Sequence, residues 1–410
     1  MRGATMADAI GFRALYLHVP FCVRKCAYCD FASSATGRRD PLMAVYARSL
    51  AAMVRRMAGE GLLDGLSTAY VGGGTPSLLG GEGLSFLIGA VPSVGELTFE
   101  ANPDSFSPDL AAAARDAGAT RVSLGVQSLA DDELRALGRV HDGEAARRAL
   151  GEAAASGLRL SADLMAAVPG QTPASLAASV EGVVAAGATH VSVYPLIVEE
   201  GTAFGRAVEE GSMEEPSDDE EAAAMEAAER VLGRLGFARY EVASYARPGE
   251  RCRHNLSYWN GTPYLGLGTA AASMADCGLY GRLRRLAPGL PAVAASTARV
   301  RLTCDSTARE VAAAEGDLSR LSFGVEELTA GEAAAEDLML AARTSDGLGP
   351  GLLARARDAV GAAAVDRAVD TLVGEGLLAE TPSGAFAPTE RGWLMGNVVF
   401  GELWGLADGD

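Results

Sequence analysis

Short runs of large apolar residues recur along the first 200 residues, separated by longer stretches where apolar positions return at helical spacing. The short runs predict strands at 15–19, 68–71, 97–100, 121–126, 158–168 and 190–198. The longer ones predict helices at 41–59, 108–117, 131–155 and 173–186. Pro108 near a start and Gly118 after an end fit the usual asymmetry of helix termini. Six strands alternating with helices predict an α/β fold with a parallel sheet and right-handed crossovers. The strands read as mostly apolar, which suggests burial on both faces. A flat doubly wound sheet and a partial, TIM-like (βα)6 barrel both satisfy this pattern. Distinctive residues at successive strand ends favour the barrel, whose sites are assembled there. They are a cysteine loop after residue 20, Gly72 to Thr75, Glu100, Gln127, Asp163 and Tyr194.

Beyond residue 198 the pattern loosens. Residues 199–230 are strongly acidic and read as a solvated loop and an amphipathic helix. Residues 238–245 predict one more strand, and 278–320 show no clear period. From 329 onward helical runs lead to a short hairpin and a last helix, a mostly helical, winged-helix-like end with a structural or lid role. The division expected is a barrel core over 1–245, a connecting region over 246–328 and a C-terminal domain over 329–410.

Composition narrows the function. The 410 residues carry a formal net charge of −18, which disfavours a phosphate-backbone partner, so no nucleic acid is expected. No basic segment followed by an apolar run opens the chain, so no secretory signal is expected. No apolar run reaches ~18 residues, so no transmembrane span is expected. The expected location is the cytoplasm. Its reducing conditions point a tight cysteine cluster toward metal or catalysis before disulfides.

That cluster is Cys22, Cys26 and Cys29, three of six cysteines in eight residues. Thiolates at CxxxCxxC spacing can wrap one compact iron–sulfur cluster from a single loop and leave one iron of a cubane free. The bland alternatives are zinc, which wants four closed ligands in a structural site, and chance grouping of small residues. The cluster reading outweighs both. Gly72-Gly73-Gly74-Thr75-Pro76 is neither a P-loop nor a dinucleotide fingerprint, but adjacent glycines let backbone approach a ligand closely.

CxxxCxxC, preceded by Tyr16, His18, Pro20 and Phe21 and with Tyr28 before its last cysteine, resembles the radical S-adenosylmethionine (SAM) superfamily. The resemblance runs from about residue 14 to 275. It implies a radical SAM barrel whose [4Fe-4S] cluster sits on Cys22, Cys26 and Cys29, its open iron chelating SAM. It assigns Gly73, Gly74 and Thr75 to the methionine end of SAM. It further assigns Tyr16, Tyr28, Glu100, Gln127, Arg139 and Asp163 to the surroundings of the cluster and SAM. Taken singly, each of these could be a strand-end cap or a solvated loop residue.

Within the superfamily the chain looks most like the branch of the oxygen-independent coproporphyrinogen III dehydrogenases and the heme chaperone HemW. The dehydrogenases carry a fourth cysteine where this chain has Phe31, and a longer segment before the first strand. Cys252-Arg253-His254-Asn255-Leu256-Ser257-Tyr258-Trp259 matches the HNxxYW signature of the HemW branch. The resemblance therefore implies heme as a third bound group and His254 as its candidate ligand, since a neutral imidazole can ligate heme iron. A further histidine frequent in that branch is Ala272 here. The expected activity is heme chaperoning, with apo-hemoproteins as acceptors, an electron donor for the cluster, and peripheral membrane contact left open. The competing readings are oxidative decarboxylation of coproporphyrinogen III and a zinc-binding structural protein.

Overall fold

The computed structural model describes residues 11–407. Residues 1–10, on which the reading of the signal segment falls, and 408–410 lie outside the described residues. Six parallel strands form the centre: β1 (Ala14–Val19), β2 (Thr68–Gly73), β3 (Glu96–Ala101), β4 (Arg121–Gln127), β5 (Arg159–Ala166) and β6 (His190–Pro195). They lie side by side in chain order, all parallel. A doubly wound sheet reverses its strand order at a switch point. Here nothing reverses, so every crossover runs the same way and the connecting helices share one face, as in a barrel wall.

The side-chain pattern of these strands corrects the apolar reading. One face of each strand is apolar: Leu97 and Phe99, Val122 and Leu124, Leu160 and Ala162, Val191 and Val193 are all buried in the main core. The alternate positions are polar: Thr98, Arg121, Ser123, Ser161, Asp163, His190 and Ser192 line an internal cavity. The strands are buried on both faces, but only one of those faces is greasy.

Helix termini follow local chemistry. Asp40 caps the helix Pro41–Gly59 through Leu42 N, and Ser107 caps Pro108–Asp116. Thr172 and Ser217 form capping boxes with Ser175 and Glu220. The helix expected over 131–155 is instead two, Asp131–Ala136 and Gly143–Ala155. Gly138 turns the chain at φ +71°, and Asp142 caps the second helix. The interruption carries Arg139.

Two other expectations change. Residues 238–245 form no single strand: β7 (Ala238–Arg239) and β8 (Ser244–Ala246) pair antiparallel around a turn, and β8 lies antiparallel on β6. The patternless stretch 278–320 holds one strand of the same sheet, and its flanks hold three more. β9 (Tyr264–Leu267) pairs parallel with β1, and β10 (Ala272–Asp276), β11 (Arg299–Cys304) and β12 (Phe323–Leu328) follow antiparallel. The alternation Arg299-Val300-Arg301-Leu302 has a reason. Val300 and Leu302 enter the core, while Arg299 reaches Glu336 and Asp337 at 2.6 Å each. The acceptors sit on the helix Ala330–Ala341.

The C-terminal segment holds that helix, Pro350–Val360 and Ala362–Gly374, a two-stranded hairpin (Leu378–Glu380 with Phe386–Pro388), then Glu390–Leu394 and Gly396–Trp404. Helices, wing and helix pack around a hydrophobic cluster of their own, with Leu338, Leu353, Val365, Leu372 and Val399. No helix among the described residues is long and apolar enough to cross a membrane.

Candidate functional site

The cysteine loop leaves the C-terminal end of β1 and is tied down at both ends. Phe21–Cys22 pairs with Ser34–Ala35, and Ala27 N donates to Leu137 O at 3.1 Å. The three thiols are half-buried and free. Burial pushes the thiols of Cys22 and Cys29 up. Two donors reach the thiols of Cys22 and Cys26. Thr75 Oγ1 lies 3.6 Å from Cys22 Sγ, and Arg139 Nη1 lies 3.3 Å from Cys26 Sγ. Burial alone would lower the Arg139 guanidinium, but Tyr28 and Cys26 beside it hold it above its ordinary value. Cations and hydroxyls aimed at sulfur are what thiolates need, and what neutral thiols do not.

One residue that the sequence reading passed over joins the two donors. Asn102 donates to Thr75 Oγ1 at 3.0 Å and accepts from Arg139 Nη2 at 2.8 Å. Its signal is its spacing from Glu100, two positions earlier along the same extended segment. The same Arg139 nitrogen donates to Gly125 O at 2.7 Å, while Arg139 Nε is buried with no protein acceptor.

The glycines are fixed by close approach. A Cβ on Gly74 would lie 2.7 Å from Phe21 O and 3.0 Å from Cys22 Sγ. Gly73 has φ +115°, and a Cβ there would enter the His18 ring. That ring is itself held. His18 Nε2 donates to Ala32 O at 2.9 Å, so Nδ1 accepts from Tyr16 OH at 3.0 Å. Glu100 accepts from Tyr70 OH at 2.8 Å and from Gly73 N at 3.0 Å, and burial pushes its carboxyl up to about 7. Asp163 accepts from Ser123 Oγ at 3.0 Å, and burial pushes it up to about 6. Gln127 has φ +66° at a bulge that shifts the register of β4 against β5. A non-glycine residue held there is strained backbone. Tyr28 packs beside Leu137 and Met165, its phenol pushed up by burial. Thus the cysteines, Tyr16, Tyr28, Gly73, Gly74, Thr75, Glu100, Gln127, Arg139 and Asp163 all gather at the C-terminal mouth of the six strands.

His254 lies elsewhere. The helix Arg253–Trp259 closes the opposite end of the bore. His254 is 1% exposed, with Nδ1 3.1 Å from Thr68 Oγ1 at the start of β2 and Nε2 3.0 Å from Tyr258 OH. Burial pushes it down to about 3. Its ring stacks on Tyr70 at 5.2 Å, and Tyr70 stacks on Tyr16 at 6.3 Å. Glu96, which the sequence reading also missed, anchors this plug. It is fully buried, accepts from His254 N at 2.9 Å, and faces Arg121, Arg159 and Arg253 within 4 Å. Ala272 is exposed at the first position of β10.

Comparison with known proteins agrees with this layout. Residues 16–181 match the model of the radical SAM superfamily. The chain is 30% identical to the heme chaperone HemW of Bacillus subtilis over 406 residues, covering 96% of this chain and 99% of that one. The chain belongs to the HemW family. It is also 42% identical to the HemW of Mycobacterium tuberculosis over 266 residues, 63% of this chain and 68% of that one. Among solved structures, coproporphyrinogen III oxidase (HemN) from Escherichia coli superposes with a TM-score of 0.74 at 19% identity, over 97% of this chain and 91% of that one. That similarity establishes the shared fold. Membership of the radical SAM superfamily implies a [4Fe-4S] cluster and SAM. The three half-buried thiols, two of them met by donors, the close-approach glycines and the unpaired Arg139 Nε of this HemW-family mouth fit both groups.

Proposed function

We infer that the protein is a cytoplasmic heme chaperone that binds a [4Fe-4S] cluster, SAM and heme and passes heme to apo-hemoproteins. The observation that supports this most is the match to a relative named a heme chaperone over nearly the whole of both chains, C-terminal helices included. Phe31 adds to it. It stands where the dehydrogenases have a fourth cysteine, and it is 66% exposed.

On this reading residues 1–245 hold the cluster and SAM, 246–328 carry the heme motif, and 329–410 have a structural or lid role. Cys22, Cys26 and Cys29 would hold the cluster. When bound, the cluster supplies one reducing electron and an open iron to which SAM can attach. Arg139 and Thr75 orient Cys26 and Cys22 and offset their negative charge. Gly73 and Gly74 let backbone come close to the methionine end, and Gln127, Glu100 and Asp163 face the rest of SAM. Glu100, raised to about 7, is poised to hold or lose a proton near neutral pH. His254 remains the candidate heme ligand, and its ring reaches heme only by giving up its bonds to Thr68 and Tyr258.

Anaerobic reconstitution with iron and sulfide, followed by heme titration beside a coproporphyrinogen assay, tests the reading. A ~400 nm band that depends on Cys26, saturable heme binding and no protoporphyrinogen are expected. Turnover to protoporphyrinogen would assign the dehydrogenase activity instead. Zinc binding with no iron–sulfur band would leave the structural alternative.

A further inference from the structure

Between the mouth and the plug, the bore holds the internal cavity lined by the polar strand positions. Its wall includes Thr98, Arg121, Ser161, Ser192, Tyr194 and Asn255. Tyr194, 44% exposed, marks its opening toward the mouth. Arg121 is 1% exposed. Its Nη2 donates to Glu250 O at 2.9 Å and lies 3.6 Å from Glu96. Its Nε–H and Nη1–H have no protein acceptor, and neither does the hydroxyl of Thr98, also 1% exposed.

The imidazole and carboxylates nearest this floor already have partners. His190 uses both ring nitrogens, on Ser161 at 2.7 Å and Tyr240 at 2.8 Å. Asp163, at the upper end, accepts from Ser123. Glu96 faces three arginines, Arg121, Arg159 and Arg253. The floor of the chamber therefore holds three donors without a protein acceptor, Nε–H and Nη1–H of Arg121 and the hydroxyl of Thr98, on and beside a buried guanidinium. A water molecule could accept from Arg121 but would need acceptors for its own two protons. A guest that only accepts, and carries negative charge, meets both conditions.

We propose that this chamber binds a small monovalent anion, chloride under ordinary conditions, held by Nε–H and Nη1–H of Arg121 and the hydroxyl of Thr98. The site uses none of the cluster cysteines and is independent of the heme reading.

The probe is bromide. Crystals of the full chain soaked in sodium bromide and measured at the bromine edge should show an anomalous peak within hydrogen-bonding distance of Arg121 and Thr98. In solution, sodium bromide should raise the melting midpoint above that in sodium gluconate of equal ionic strength. Thr98→Val keeps shape and leaves Arg121 in place. It should weaken the bromide response at least tenfold, and Arg121→Gln should abolish it. A water in the chamber without anomalous signal would overturn the proposal. So would a bromide response unchanged in Thr98→Val, even should Arg121→Gln fail to fold.

Discussion

The two ends of the bore answer opposite demands. At the mouth, half-buried sulfurs face a cation and a hydroxyl, one guanidinium nitrogen lacks a partner, and Gln127 is held in strained backbone. At the plug, His254 has both ring nitrogens engaged, its amide is tied to Glu96, and its ring is stacked on Tyr70. Both motifs are equally conspicuous in sequence. The mouth leaves its sulfurs half-buried and a guanidinium nitrogen without an acceptor, whereas the His254 side chain is satisfied as it stands, although the Trp259 indole N–H on the same helix is buried without a partner. A dense cluster of distinctive residues thus identifies a constrained place in the fold. Whether the constraint is ligand or architecture is decided by which polar atoms remain without partners.

The sharpest way to break this comparison is Cys26→Ser, which should abolish the reconstituted iron–sulfur band and iron content while leaving far-UV circular dichroism unchanged. A retained band would remove the mouth's assignment. Next, Glu96→Gln leaves Arg121 buried without its counter-charge and should cost about 3–5 kcal/mol in urea unfolding; a neutral effect would mean the plug is not held electrostatically. His254→Ala should cost ~3 kcal/mol through a cavity and two lost hydrogen bonds. If heme affinity and the Soret band are unchanged in that variant, His254 belongs to the architecture alone.

The pH dependence separates the ends further. Glu100 is raised from the ordinary carboxylate range to about 7. The native state therefore holds this proton more tightly than the unfolded chain does. The resulting stability is complete below about pH 4.5 and is lost as pH rises through about 7. The wild type should lose stability between pH 5 and 8 relative to Glu100→Gln, measured as the difference in urea midpoints. Thr75→Val should have the smallest effect, about 1 kcal/mol, with the cluster band shifted but present.

Much of this was legible in advance. Strand order and strand ends were readable because parallel βα units place distinctive residues at one end of each strand. Period-two alternation was there too, in Arg121-Val122-Ser123-Leu124, read as a mostly apolar strand, and in Arg299-Val300-Arg301-Leu302, where the arginines hid it in a stretch with no clear period. Arg139 was found by resemblance, while its means of reaching Cys26, a break in an otherwise helical pattern, was not. The local signals for it were Gly138 and the capping Asp142, overridden by the apolar period on either side, and the bond from Ala27 N to Leu137 O, contributed by the distant cysteine loop, accompanies the break. The placement of His254 was beyond reach, because nothing near residue 254 announces Thr68 or Glu96 as its partners.

The plug also bears on how the chain reaches its fold. Glu96 and His254 are bonded across 158 residues of sequence. During synthesis, all six βα units emerge before the segment that supplies the His254 amide to Glu96 and the Glu250 carbonyl to Arg121. The six-strand unit must wait with a buried carboxylate and arginines incompletely paired, and pairings of such long separation form slowly. Completion of the barrel is therefore a late, cooperative event that requires residues beyond 250. Nascent chains ending before that point should be more protease-sensitive than those extended past residue 260.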